Sequence, residues 1–548
     1  MRKLVNLFSG ISISFLVLVG CGGRSDNQSN QDMIEPFVDS ASLTDKIKEF
    51  APIEIPELAS GTGRVSDLIY HLTKVGDWVD SIFWIQSYGN PAELFAQQVD
   101  SNHIAFCKLH YGPYDRFRNN EPITPGSRYK AFGANLYPSD ITFPEFLQFS
   151  DSTKESPFTA LRRNKEGNLI SIQYADLFKR EIDSILYHTR LASLISEQYL
   201  LNSYLNEIYT NKNIFFNIKA DSIYTFQTVN PIEFYIGSFT EGEDGFLRKK
   251  LAITSFLLIR DNSFMTKRVR TQQRFRSLLS YFYKEKQFDE KFISEDRIGI
   301  YDALFFKGQL NAGSKMISLY MPPNESSLKV NGSKVLLFKN IMYTKFNKIL
   351  IPIHNTLNTT GTKIDDSFEM FMLYNLTYEL VAASEFYKSS RSIDNQTGTL
   401  KEYYNIMYSM RSDISTLKYM EKLYKDELLS QQELYKLYSI YIADVIRNIR
   451  FSLSNEQSMA LLVELNFILS KGGFSYDIEN NSIIVNKNSI MEAIEYLDRE
   501  TKVLFNHGDD QMAARFVNKY GVLSNPIKEI LKKVNSQKIP RDVYFDKN

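Results

Sequence analysis

The sequence predicts a mainly α-helical chain with one smaller β element, an α+β class, and three observations predict it. Apolar residues recur at helical spacing through most of residues 67–98, 174–209 and 368–504. Three short β-prone runs, ISLYMP, KVLLFK and KILIPI, crowd into residues 301–355 between the turn residues Pro322-Pro323-Asn324 and Asn331-Gly332. At 548 residues, 43% of them hydrophobic and 14% aromatic, the chain can bury a sizeable core and form more than one lobe.

From the N-terminus, Arg2 and Lys3 precede an apolar stretch, 4–19, that ends in Leu18-Val19-Gly20-Cys21. A basic start, a short apolar run and a Cys directly after a small residue have the form of a lipoprotein signal. The run is interrupted by Ser and Gly and falls short of the roughly 20 apolar residues that a membrane span needs. Removal of residues 1–20 would leave Cys21 as the lipidated first residue, and Gly22 in place of Asp after it points to the outer membrane. Residues 21–33 are rich in Ser, Asn and Gln and read as a flexible spacer, with folded structure expected from about Ile34.

Residues 34–300 are expected to form a helical N-terminal part. Leu177, Ile182, Ile185, Leu186, Leu191 and Leu194 show the kind of stripe that one buried helix face requires. Within this part the Gly- and Pro-rich residues 112–144 cannot be a long helix and are expected to be an ordered loop or part of a binding cleft. The β-rich residues 301–355 are expected to pack with the N-terminal part. A helical lobe follows over 356–548, with helices at 368–387, 399–425, 431–451, 458–469 and 490–504 and a hairpin at 476–485 around Asn480-Asn481.

Lys and Arg number 64 and so do Asp and Glu, for a formal net charge of +0. A neutral chain has no global field to draw in nucleic acid or anionic lipid, so neither is expected as a partner through charge. Of two cysteines, Cys21 is committed to lipid, which leaves Cys107 without a partner for a disulfide. Stability must therefore come from packing.

A series of blocks in order gives the chain a relative. HYGPYDRFRNNEPI (110–123), FGANLYPSDIT (132–142), SPFTALRRNKEGNL (156–169), the run 311–315, FKNIMYTKFNKILIPI (338–353), KYGVL (519–523) and IPRDVYF (539–545) span most of the mature chain. Together they resemble the dipeptidyl peptidase III family of zinc metallopeptidases, in particular its shorter bacterial branch. The resemblance implies a two-lobed architecture, with an interlobe cleft between a β-containing lobe and a helical lobe. It also implies zinc, a helix bearing H-E-x-x-H, and a third ligand Glu on a later helix.

Two His at i and i+4 point from one helix face at one ion, and the Glu beside the first activates the metal-bound water. Aligned on LTYELVAASEF, the first His position is Tyr378, the general base is Glu379 and the second His position is Ala382. Aligned on YSMRSDIST, the carboxylate pair falls on Tyr408 and Ser409, and Asp413 is retained. None of the six histidines, 71, 103, 110, 188, 354 and 507, lies between the last two, the span that holds the site. Glu385 and Asp413 are the nearest oxygen donors. The resemblance implies a further His where Gln457 stands, and a Glu and Tyr for the peptide amine where Thr240 and Gly242 stand. Residues that match the family are Asn119, Asn120, Gly133, Asn135, Tyr137, Asn311, Gly313, Lys315, Arg447 and Arg450. Asn119, Asn135, Tyr137, Asn311, Lys315, Arg447 and Arg450 are candidates for binding a peptide in the cleft, with a scaffold role as the plainer alternative.

The expectation is a lipid-anchored pseudoenzyme of the bacterial envelope. It holds no cofactor, keeps Glu379 as a residual general-base position without function, and takes a peptide or protein in its cleft. The alternatives are an active hydrolase of this family with a non-standard metal or none, and a structural envelope lipoprotein.

Overall fold

The computed structural model describes residues 43–56, 63–96, 101–123, 129–240, 242–322, 325–357, 362–389, 400–450, 453 and 455–546. The expected signal peptide, Cys21 and the spacer to residue 33 lie outside the described residues. Two compact units form, and they interleave along the chain. Among the described residues the N-terminal unit comprises 43–259, 303–315 and 542–546, and the C-terminal unit comprises 260–302 and 316–541. The expected β-rich segment 301–355 is thus divided between them.

In the N-terminal unit the spine is helix α1 (Arg64–Ser87), which buries Leu68, Leu72, Val75, Val79, Ile82 and Phe83 at three- and four-residue steps. It packs along α2 (Lys179–Ile195), and α2 packs on α3 (Tyr199–Asn211) after a break at 196–198. Strands β1 (Ile232–Thr240) and β2 (Ala252–Arg260) pair in antiparallel register from Ile232↔Ile259 to Thr240↔Ala252, with a bulge between Ser238 and Thr240. The end of β3 (Ile298–Gly308) lies against β2, where Thr254 Oγ1 donates to the Lys307 carbonyl at 2.9 Å. Two side chains of α1 fasten this sheet: Gln86 accepts the Ile253 N–H and Asp80 the Gly308 N–H, both at 3.0 Å. Phe50–Pro52 pairs in parallel with Asp542–Tyr544, tying the C-terminus into the same unit. β1 and β2 fall inside the part expected to be helical. Nearly every residue of both is buried, so the two-residue alternation that marks a half-exposed strand is absent.

In the C-terminal unit the start of β3 pairs in parallel with β5 (Lys334–Phe338), which pairs antiparallel with β4 (Ser318–Met321). The strand order is β1-β2-β3-β5-β4, so β4 is an edge. Around this half of the sheet stand α4 (Val269–Lys284), α5 (Phe368–Ser389), α6 (Tyr404–Lys425), α7 (Gln431–Ile449), α8 (Glu456–Ser470) and α9 (Ile490–His507). α6 packs against α5, α8 and α9, and α5 also covers β4 and β5. α5 and α8 are apolar nearly all round, the mark of interior helices. The hairpin forms at Phe474–Asp477 and Ser482–Val485, as the Asn-Asn turn predicts.

One expected strand is a helix. KILIPI lies across a π-helical turn, Phe346–Leu350, and the α-helix Ile351–Leu357. Met342, Phe346, Ile349, Leu350 and Ile353 are fully buried at three- and four-residue steps, a helical period that outweighs the β propensity of the isoleucines. Pro352 has no N–H to give, and the widened turn before it accommodates that gap. Among the described residues no helix is long and apolar enough to cross a membrane.

Candidate functional site

Tyr378, Glu379 and Ala382 sit on α5, and the first and last of them share a helix face as i and i+4. Glu379 is buried, and its carboxyl is already committed. The Ser318 hydroxyl donates to Oε1 at 2.7 Å, and the Tyr320 backbone N–H donates as well. Both donors belong to the edge strand β4, so Glu379 caps an N–H on the side of that strand away from β5. Burial pushes the Glu379 carboxyl up to about 7, against the pull of these two hydrogen bonds. A carboxyl placed this way is a partner for the sheet edge.

Asp413 on α6 lies in the same unit. It accepts from the Tyr374 hydroxyl at 3.3 Å and from Gln457 Nε2 at 3.1 Å, and burial pushes it up to about 7. Two positions singled out in the sequence, Asp413 and Gln457, are therefore in direct contact. Further along α8, Glu464 is fully buried; it accepts the Tyr441 hydroxyl at 2.5 Å, and its other oxygen has no hydrogen-bond partner among the described residues. Burial and then the Asp413 carboxyl hold Glu464 well above the usual carboxylate range. Burial likewise raises the phenols of Tyr374, Tyr378, Tyr408 and Tyr441. This neighbourhood is made of buried carboxyls with raised pKa values and of phenols.

The donors do not fit zinc. At the positions where imidazole and carboxylate would stand are the Tyr378 phenol, the Ala382 methyl and the buried Ser409 hydroxyl, and zinc is held by Cys, His and carboxylate groups. Among the described residues no three His, Cys, Asp or Glu side chains come together as a metal-holding group. Glu385, one of the nearest oxygen donors, is held by Lys388 at 3.1 Å and Arg411 at 3.3 Å.

The candidate peptide-binding residues are mostly engaged internally. In the N-terminal unit Asn135 Nδ2 donates to the Ile85 carbonyl at 2.7 Å, and the Tyr137 hydroxyl donates to Asp244 at 2.9 Å. Asn311 Nδ2 donates to the Tyr111 hydroxyl at 2.9 Å, and buried Lys315 donates to the carbonyls of Asn311 and Gly313 at 2.7 and 3.1 Å. Asn119 is exposed, and both it and Asn120 take left-handed backbone angles, φ 52° and 57°, which Asn tolerates well. In the C-terminal unit Arg447 Nε donates to Asp444 at 2.8 Å, and Arg450 donates to Asn535 and to the Ile539 carbonyl, both at 3.0 Å. Asn135, Tyr137, Asn311, Lys315, Arg447 and Arg450 thus each hydrogen-bond within their own unit.

Two acidic residues that follow Thr240 and Gly242, Glu243 and Asp244, are spent in the same way. Thr240 Oγ1 accepts the Gly242 N–H at 3.1 Å. Glu243 is buried between Arg116 at 2.6 Å and Lys130 at 2.5 Å, and these cations hold it well below the usual range in spite of its burial. Asp244 accepts four backbone N–H groups, those of Phe246, Leu247, Lys249 and Lys250. Neither carboxylate is available to a peptide amine.

Ser318, Tyr374, Tyr441 and Glu464 were not read from the sequence. Ser318 lies 61 residues from Glu379 and has no local signal. Glu464 had one, as the single charge in the apolar run MALLVELNFILS.

A scan against protein-family models finds no match. The structure of dipeptidyl peptidase III from Caldithrix abyssi superposes with a TM-score of 0.79 at 22% identity, covering 91% of this chain and 98% of that one. The dipeptidyl peptidase III of Corallococcus sp. strain EGB superposes with a TM-score of 0.74 at 20% identity, covering 92% and 96%. Among curated proteins, Nudix hydrolase 3 of Arabidopsis thaliana is 22% identical over 578 residues, 92% of this chain and 73% of the plant protein.

Proposed function

We propose, from the premise that this chain has the dipeptidyl peptidase III fold, that it is a non-catalytic relative of those peptidases. In this reading it binds a peptide or protein partner and is held at the bacterial envelope, on the outer membrane, by lipid on Cys21. The observation that carries the non-catalytic part is the state of Glu379. A general base of a zinc peptidase must face a metal-bound water. Here the matching carboxyl is buried, accepts from Ser318 and from the backbone of β4, and has a tyrosine and an alanine where the ligands would be. A hydrolase of another kind would need a titratable group presented to substrate, whereas Glu379, Asp413 and Glu464 are all buried.

Retention of the fold with the chemistry gone supports a binding role, since a folded frame of this size can still present surfaces. The side chains of Tyr137, Lys315, Arg447 and Arg450 are assigned to scaffold, and partner contact is assigned to exposed positions such as Asn119 and to backbone groups.

Zinc content and peptide hydrolysis, measured together on the purified protein, test the reading. Less than about a tenth of an equivalent of zinc in the C-terminal unit, with no dipeptide released from synthetic peptides, is the expected result. One tightly held equivalent, with hydrolysis abolished by Glu379→Gln, would overturn it. For the anchor, Cys21→Ser should move the protein from the membrane fraction to the soluble fraction, and unchanged partitioning would remove the lipid from the proposal.

A further inference from the structure

In the N-terminal unit the loop 129–138, the short helix Phe143–Gln148 and the turn 242–250 bring a set of exposed apolar side chains together. Tyr129, Phe132, Phe143 and Leu147 are each more than half exposed. Phe143 and Leu147 stand one turn apart on one side of the helix, and the Phe143 ring meets Phe246 edge-on at 6.4 Å. Phe132 crowds Gly245, where an added Cβ would stand 2.5 Å from its carbonyl oxygen and 3.7 Å from its ring.

Polar groups beneath hold this face in place. Glu243 binds Lys130 at 2.5 Å, Asp244 accepts the Tyr137 hydroxyl at 2.9 Å and the N–H groups of Phe246 and Leu247, and Asn135 is fixed to the Ile85 carbonyl. Aromatic side chains presented on a fixed frame leave water only by docking on something, and a contiguous exposed apolar patch marks such a site.

Charge and position decide what covers it. The carboxylates at its rim are already matched: Asp140 and Glu145 by Arg163 at 2.9 and 2.8 Å, Glu155 by Lys249 at 2.5 Å, and Glu243 by Arg116 and Lys130. What is left to a partner is phenol and hydrocarbon, the chemistry that settles at the headgroup boundary of a bilayer. The described part of this unit begins at Leu43, and its entry packs beside the same region: Glu49 pairs with Arg118 at 3.8 Å, and Phe50 rests on Phe117 at 5.3 Å. Arg116 and Lys130 share Glu243, so one buried carboxylate links that entry point to the patch. A flexible chain as long as residues 22–42 spans roughly 25 Å on average, which would keep this face within reach of a bilayer that holds lipid on Cys21.

We propose that Tyr129, Phe132, Phe143 and Leu147, around Phe246, dock on the surface of the lipid bilayer. This docking rests on the reading of Cys21 as the anchor. Four side chains give a weak, reversible association, and a short tether turns it into steady contact by raising the local concentration of bilayer. Without lipid the protein comes off on dilution, so an excess of vesicles is needed to detect the patch.

The test is flotation of the mature chain, residues 21–548 with Cys21→Ser, with excess neutral phosphatidylcholine vesicles. The bound fraction should rise with lipid, and Phe132→Ser/Phe143→Ser/Leu147→Ser should lower the partition coefficient by about tenfold or more. Tyr70→Ser/Tyr187→Ser, at exposed tyrosines of α1 and α2, should leave it unchanged, and so should added salt, since no ion pair with lipid is involved. Circular dichroism confirms folding, and Leu147→Ser alone, with a smaller loss, stands in if the triple variant is unfolded. Equal partitioning of parent and variant, binding that needs anionic lipid and vanishes with salt, or a patch-dependent dimer or protein complex in place of vesicle binding would overturn the proposal. The two readings fail separately: vesicle binding without lipid on Cys21 removes the anchor alone, and lipidation with an unlipidated form that ignores vesicles removes the patch alone.

Discussion

At the residue scale, Glu379 is a buried carboxyl committed to a sheet edge. Its contacts are two donors of the edge strand and a buried shell that raises its pKa. Glu379→Ala would leave the Ser318 hydroxyl and the Tyr320 N–H buried without an acceptor, which costs roughly 1–3 kcal/mol, beyond any cavity. Glu379→Gln retains an acceptor oxygen and should cost less, and denaturant midpoints for the two variants measure the difference. The same environment sets a pH dependence. Burial lifts Glu379 and Asp413 to about 7, above their values in the unfolded chain. Between roughly pH 4 and 7 the unfolded chain therefore binds fewer protons than the folded one. The stability these groups contribute is fully present below that window and is lost as pH rises through it. Glu243 has the opposite sign: held low by Arg116 and Lys130, it loses its contribution as the solution turns acid. Melting at pH 5 and at pH 8 should show a neutral-side decline that Glu379→Gln reduces, and an unchanged slope in that variant would contradict the assignment.

At the element scale, α1 carries the N-terminal unit, and Gly76 marks how closely it approaches β3. A Cβ added there would stand 2.8 Å from the Phe305 ring and 3.1 Å from the Lys307 side chain. Gly76→Ala gains about 1 kcal/mol of helix propensity and loses about 1–3 kcal/mol to overpacking. The ring is buried and has little room to yield, so the second effect should win, and thermal unfolding of the variant should show net destabilisation. Element boundaries were legible where one face was apolar and the other was not, as in α6 and α9, whereas the stretch 174–209 breaks into three helices and Leu194, placed on the buried stripe, is exposed. Boundaries were lost where burial was complete. β1 and β2 hide their period because both faces are covered, and KILIPI was misjudged because a π turn and a proline masked a helical stripe.

At the scale of the whole molecule, the fold resembles that of the dipeptidyl peptidase III structures over nine-tenths of the chain, and Tyr378, Ala382 and Ser409 offer no imidazole or carboxylate. If donor identity alone separates this protein from a zinc site, returning three donors should restore one. The variant Tyr378→His/Ala382→His/Ser409→Glu is expected to take up about one equivalent of zinc that the parent does not. Folded variant without zinc would mean that packing around α5 and α6 has also closed the site. Phenols and buried carboxyls fill that region, and they are the groups that would have to move.

The sequence by itself determined the class of the fold, most of the helices and the hairpin, because these follow from local period and turn chemistry. It also determined that no H-E-x-x-H occurs in the chain, since an absent histidine is absent in any conformation. Only the tertiary structure decided what the remaining residues do. Ser318 meets Glu379 across 61 residues, Glu243 is neutralised by Arg116 across 127, and His71 meets His188 across 117. Contacts of that range leave no periodic trace along a chain, because what they require is a shared place in the packed unit and not a shared neighbourhood in sequence.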